Sequence, residues 1–115
     1  MVKTFGSEHP DVATSYNNIG LVYDRQGSYD KALEYCKNSL DIMVKTLGKE
    51  HPYVAQSYNN IGFVYSNQGS YDKALEYYKK SLDIARKTLG EQHPNTKLIL
   101  NNIKSVEDKL KNEKQ

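Results

Sequence analysis

The chain copies itself. Residues Thr46 to Lys87 restate Thr4 to Lys45 at a period of 42, and a third, shortened copy begins at Thr88. Gly6, Gly48 and Gly90 fall in register, as do His9-Pro10, His51-Pro52 and His93-Pro94. Ser15 to Gly20 matches Ser57 to Gly62, and Gln26 to Tyr35 matches Gln68 to Tyr77, residue for residue. A unit of this length is marginal as an independent domain. Self-similarity at this period marks a stacked array in which each copy buries its apolar face on its neighbour.

Within a unit the periodicity is helical. His9-Pro10-Asp11 reads as a helix start, with proline suited to the first turn and an acid complementing the positive helix end. Tyr16, Ile19, Gly20 and Tyr23 then form the packing side of a first helix that stops near Gln26-Gly27. Glycine in a helix interior costs about 1 kcal/mol against alanine, so Gly20 predicts close approach by a neighbouring helix. Ser28 is a suitable N-cap for a second helix with the stripe Tyr29, Ala32, Leu33, Cys36, Leu40 and Met43, ended by Gly48. Gly20 and Ala32 are expected where the two helices touch. The organisation predicted is one domain over 1–115: repeat 1 at 10–48, repeat 2 at 52–90, and a lone third-repeat first helix at 94–113. That last helix, with Leu98, Leu100, Ile103, Val106 and Leu110 as apolar surface and a charged end, reads as a cap. Met1 to Gly6 resembles Met43 to Gly48, so the chain is expected to open on the end of a preceding helix, as part of a longer array or of a protein of two and a half units.

Composition narrows the function classes. Sixteen basic and 14 acidic residues give a net charge of +2, and the two signs are mixed along the chain. This argues against nucleic-acid or membrane-surface binding, which gathers bases on one face. No stretch reads as a membrane span or secretory signal. Cys36 is the single cysteine, faces Tyr78 across the repeat alignment, and reads as a core filler in a cytoplasmic, reducing setting.

The pattern aromatic-x-x-Ile-Gly-x-x-Tyr followed by Gly-x-Tyr-x-x-Ala-x-x-x-aromatic resembles the tetratricopeptide repeat (TPR). Tyr16, Ile19, Gly20, Tyr23, Tyr29 and Ala32 fill its places in repeat 1. Tyr58, Ile61, Gly62, Tyr65, Tyr71, Ala74 and Tyr78 fill them in repeat 2. The longer unit, its Leu-Gly-x-x-His-Pro linker and the Asn-Asn-Ile triplets are similar to repeats of kinesin light chains. The resemblance implies an all-α, right-handed solenoid of stacked antiparallel helix pairs, with about two full repeats and a C-terminal capping helix. It departs from the family pattern at Val44 and Arg86, where short repeats carry a closing proline, and at Cys36, where an aromatic is usual. By the same resemblance, first helices line a concave groove that binds peptides.

The helical wheel locates that face independently. In repeat 1 a second stripe holds Thr14, Asn17, Asn18, Leu21, Asp24 and Arg25. In repeat 2 it holds Gln56, Asn59, Asn60, Phe63, Ser66 and Asn67, and in the cap Leu98, Asn101, Asn102 and Ser105. Asparagine both donates and accepts, so this ladder suits an extended peptide backbone, with Leu21 and Phe63 gripping an apolar side chain. The alternative is that the asparagines bridge neighbouring repeats. No basic cluster accompanies Asn17, Leu21, Asn59 and Phe63, so the family's grip on chaperone C-terminal carboxylates is not expected here.

No cofactor, metal site or enzyme activity is expected. The histidines lie one repeat apart, too far to share an ion, and suit helix-start structure better. Most of the ten tyrosines occupy packing positions and lack basic neighbours, which favours core over base stacking. The function expected is a module binding a protein or peptide partner. The alternative is a self-associating segment or a spacer in a longer array, with apolar edges at Phe5, Leu100 and Val106.

Overall fold

The computed structural model describes residues 9–113, so the expectations for Met1 to Gly6 and for Phe5 lie outside the described residues. Five helices follow one another: α1 (Pro10–Arg25), α2 (Tyr29–Leu47), α3 (Pro52–Gln68), α4 (Tyr71–Thr88) and α5 (Pro94–Glu113). Each packs on the next, and the first helices α1, α3 and α5 also meet more lightly along one side. The result is an all-α solenoid of two helix pairs closed by a fifth helix.

The repeated histidines explain why the first helices begin where they do. His9 Nδ1 accepts the Asp11 N–H, His51 Nδ1 the Tyr53 N–H, and His93 Nδ1 the Asn95 N–H, each at 3.0 Å. Each imidazole thus satisfies one of the orphan donors of a helix start, and proline behind it supplies the fixed φ. Ser28 and Ser70 occupy the N-cap positions of α2 and α4, but neither side chain makes a capping bond. What these serines contribute is backbone: Ser28 N–H donates to Tyr23 O and Ser70 N–H to Tyr65 O, both at 2.9 Å, closing the preceding helix. Gly27 and Gly69 make that closure possible with φ of 81° and 91°, a conformation only glycine adopts freely.

The helix pairs meet at the predicted small residues. A Cβ on Gly20 would stand 2.7 Å from Cys36 Sγ and 2.9 Å from Ala32 O, and one on Gly62 2.7 Å from the Tyr78 ring. Ala32, Cys36, Ala74 and Tyr78 are buried. Within the second pair, Ser81 Oγ donates to Ala55 O at 2.6 Å in the core, and between the pairs Lys37 Nζ of α2 donates to Tyr65 Oη of α3 at 3.0 Å.

Three expectations need correction. Ile19 is 39% exposed, whereas its counterpart Ile61 is 0% exposed, because α2 covers α3 and no described residue covers α1 in the same way. On α5 the buried positions are Thr96, Ile99, Ile103 and Val106, and Leu98 is 52% exposed, so Leu98 belongs to the groove side alone. The tyrosines do have basic neighbours. Tyr23 stacks on Tyr35 and Tyr65 on Tyr77, and Lys31, Lys37, Lys73 and Lys80 lie 5.3 to 6.0 Å from tyrosine ring centres. The second helix of each pair delivers these cations.

Candidate functional site

The first helices run side by side along one face, and three clefts open there. The first lies between α1, α2 and α3, encloses about 340 Å³, and is lined by Thr14, Asn17, Asn18 and Gln56 of the predicted stripe. A second, about 170 Å³, lies between α3, α4 and α5, with Gln56, Asn59, Asn60 and Leu98 in its wall. A third, about 300 Å³, is made wholly of predicted residues: Leu21, Asp24, Arg25, Phe63 and Asn67. Ser66, Asn101, Asn102 and Ser105 line none of these clefts.

Part of the asparagine ladder bridges the repeats. Asn102 Nδ2 donates to Asn59 Oδ1 at 3.0 Å, and Asn67 Nδ2 donates to Asp24 Oδ2 at 2.8 Å. Both pairs are separated by 43 residues, one more than the repeat, so each first helix is laced to the next along the same diagonal. Each bond leaves capacity on the amides, since an asparagine has two donors and a carbonyl with two lone pairs. Asn17 is the register mate of Asn59, and its Oδ1 is buried with no hydrogen-bond partner. Ser39 repeats this asymmetry. Its mate Ser81 donates to Ala55 O, yet the Ser39 Oγ is buried and unpartnered. Both residues line the α1–α2–α3 cleft.

Electrostatics in the groove are mild. Asp24 is 6% exposed, with its Oδ1 unpartnered. Burial raises its carboxyl above the ordinary value, opposed by the hydrogen bond from Asn67 and the charge of Arg25. Among the described residues, no group of three or more His, Cys, Asp or Glu is placed to hold a metal ion. Cys36 lies behind α1, and burial, assisted by the Asp24 charge, pushes its thiol up to about 11. No described helix is long and apolar enough to cross a membrane.

Helix-one reasoning missed the floor of the groove. Ser39 and Met43 from α2, and Ala85 and Leu89 at the end of α4, reach the clefts between the first helices. The small residues at Ser39, Ser81 and Ala85 are the sequence signal for that opening. Tyr53, 54% exposed at the rim, had no repeat signal, because its counterparts are Asp11 and Asn95.

The architecture is shared with known structures. BtubC (BKLC) from P. vanneervenii superposes with a TM-score of 0.74 at 28% identity, over 84% of this chain and 39% of that one. A Podosopora anserina protein assigned as a kinesin light chain, with nearly identical TPR-like repeats, gives 0.78 at 27% identity, over 90% of this chain and 49% of that one. This chain therefore spans less than half the length of either. The N-terminal domain of stress-induced protein-1 (STI-1) from C. elegans shares the fold, with a TM-score of 0.63 at 19% identity over 83% of this chain and 67% of that one. No curated protein matches the sequence. The repeats are kinesin light chain-like in structure. The tetratricopeptide repeat profile matches residues 1–35, 11–66 and 53–115, and the chain belongs to the tetratricopeptide repeat family, whose members serve as protein–protein interaction modules.

Proposed function

We propose that this chain binds an extended, uncharged peptide segment of a protein partner in its concave groove, anchored in the cleft between α1, α2 and α3. One observation carries the reading: Asn17 Oδ1 and Ser39 Oγ are buried without partners in the wall of that cleft, while their repeat-2 mates Asn59 and Ser81 are satisfied. An unmet buried polar group costs about 1–3 kcal/mol, which a ligand that supplies a donor recovers. A peptide N–H reaching Asn17 Oδ1, with a carbonyl taking the Ser39 hydroxyl, supplies both halves. Farther along, Leu21 and the 44%-exposed Phe63 offer apolar surface beside Asp24 and Arg25, whose opposite charges favour a neutral ligand. The module acts by binding and not by catalysis, and a cytoplasmic location suits its single buried thiol.

A display library of random peptides, panned on wild type and on Asn17→Leu, tests this. Leucine keeps the volume and removes the orphan acceptor. The expected result is a variant at least as stable as wild type that binds the selected peptides about tenfold or more weakly, a loss of about 1.4 kcal/mol. Unchanged binding refutes the anchor. A variant that unfolds more easily refutes the premise that Asn17 Oδ1 lacks a partner.

A further inference from the structure

The two copies keep their packing residues and differ where the first helices face each other. Val22-Tyr23 recurs as Val64-Tyr65, whereas Leu21, Asp24 and Arg25 become Phe63, Ser66 and Asn67. Leu21, Asp24 and Arg25 from α1, with Phe63 and Asn67 from α3, are the whole lining of one cleft of about 300 Å³. The chemistry of that cleft is therefore peculiar to the α1–α3 seam. At the α3–α5 seam the place of the acid is taken by Ser66.

Asp24 is the residue that asks for a ligand. It is 6% exposed, its Oδ2 accepts from Asn67 Nδ2 at 2.8 Å, and its Oδ1 is buried with no partner. A buried carboxylate oxygen without a donor carries an unmet desolvation cost. Arg25, exposed and next in the chain, brings a guanidinium to the same cleft. Leu21 and Phe63 give it apolar surface. Phe63 is 44% exposed, and a side chain that open changes rotamer freely, so its ring can turn to admit a ligand tip.

We propose that this cleft is a subsite for a primary carboxamide, the side chain of a glutamine in the bound peptide. The inference rests on the groove reading above and names one residue of its ligand. The carboxamide NH2 donates to Asp24 Oδ1, its oxygen accepts from the Arg25 guanidinium, and its methylenes lie against Leu21 and Phe63. Other side chains meet only part of this demand. A lysine sets its charge against Arg25, a glutamate sets its charge against Asp24, and a leucine leaves Oδ1 unmet. The Asp24–Asn67 bond stays intact, because the ligand uses the free oxygen. Asn17 and Asp24 stand seven residues apart on α1, roughly 10.5 Å of helix rise, which an extended chain covers in about three residues. The glutamine therefore belongs about three residues from the peptide N–H that meets Asn17.

Peptides selected from a random library on the full chain are resynthesised with each position changed in turn to Gln, Leu, Glu, Lys or Tyr. The anchored N–H is located as the position whose N-methylation is non-additive with Asn17→Leu. About three residues from it, glutamine should bind about tenfold or more tightly than leucine. Asp24→Asn puts an amide donor where the free oxygen stood, so the preference should pass from glutamine to glutamate. Arg25→Leu, at an exposed position, should pass it to lysine, which gives a second reading independent of the folding of the first variant. Peptides that need Asn17 but show no glutamine preference overturn this inference and leave the groove reading standing. A preference for lysine or tyrosine on wild type, or a glutamine preference that survives Asp24→Asn, overturns it equally. If no peptide is enriched on wild type, the groove reading and the subsite fall together.

Discussion

Gly20→Ala sets two known magnitudes against each other at one atom. In an open helix interior, alanine is favoured over glycine by about 1 kcal/mol. Here the new Cβ would stand 2.7 Å from Cys36 Sγ, 2.9 Å from Ala32 O and 3.3 Å from Cys36 N. The sulfur ends a side chain with no room to turn, since Cys36 is 0% exposed, and the other two atoms belong to the α2 backbone. Relief therefore requires α1 and α2 to separate by several tenths of an ångström along a close-packed seam. Overpacking of this kind costs about 1–3 kcal/mol or more, so the clash outweighs the propensity gain and a net loss of about 2 kcal/mol is expected. With an unfolding entropy of about 2.1 cal/mol/K per residue, that loss lowers the melting temperature by roughly 8 °C. Urea titration followed by circular dichroism measures it. The double variant Gly20→Ala/Cys36→Ala should recover part of the loss as a coupling energy of about 1 kcal/mol, and only part, because Ala32 O remains. A Gly20→Ala protein about 1 kcal/mol more stable than wild type would refute the close approach altogether.

Asp24→Asn should stabilise the fold at neutral pH, because burial holds the native carboxyl above its unfolded value while asparagine still accepts from Asn67. A raised native carboxyl favours folding below the unfolded value and loses that contribution as pH rises through the native one. The gain in urea midpoint must therefore shrink in acid, and a pH-independent gain would refute the assignment. Cys36, with its thiol pushed up to about 11, should resist Ellman's reagent in the native chain at mildly alkaline pH and react promptly in urea; rapid native labelling would contradict its burial. His51→Ala removes the acceptor for the Tyr53 N–H and should cost about 1 kcal/mol in urea unfolding, recovered by His51→Asn; equal stability of all three would show that the imidazole does not cap α3.

The fold was legible because it is written twice. A 42-residue register, helical spacing and the paired Gly20 and Ala32 place four helices and their contacts before any coordinate is known. What the copies cannot report is the difference between their neighbours. Ile19 and Ile61 are the same residue in the same motif, yet one is half open and the other sealed, since the covering helix belongs to the adjacent unit. The wheel of one helix brought Thr14, Asn17, Leu21 and Phe63 to clefts along one side, though Ser66, Asn101, Asn102 and Ser105 line none of them. The floor of these clefts was not legible, because Ser39, Met43, Ala85 and Leu89 approach it from the partner helices. The cap positions were legible but not their chemistry: Ser28 stands at the N-cap of α2 without a side-chain bond, whereas the His9 imidazole at the start of α1 accepts the Asp11 N–H.

The diagonal bonds between Asp24 and Asn67 and between Asn59 and Asn102 lie along the first helices, while Lys37 of α2 donates to Tyr65 of α3 on the other side of the α2–α3 seam. The diagonal bonds work like stitches along one side of the stack: they limit how far neighbouring first helices spread, while side-chain packing of α2 on α3 and of α4 on α5 holds the rest of the seam. Under the proposed binding mode, a guest that borrowed one of these amides would unpick a stitch and loosen that seam. Occupancy of the proposed groove and spacing of the first helices would then be a single variable, so a partner that pulled on the ends of the stack would change what the groove could hold.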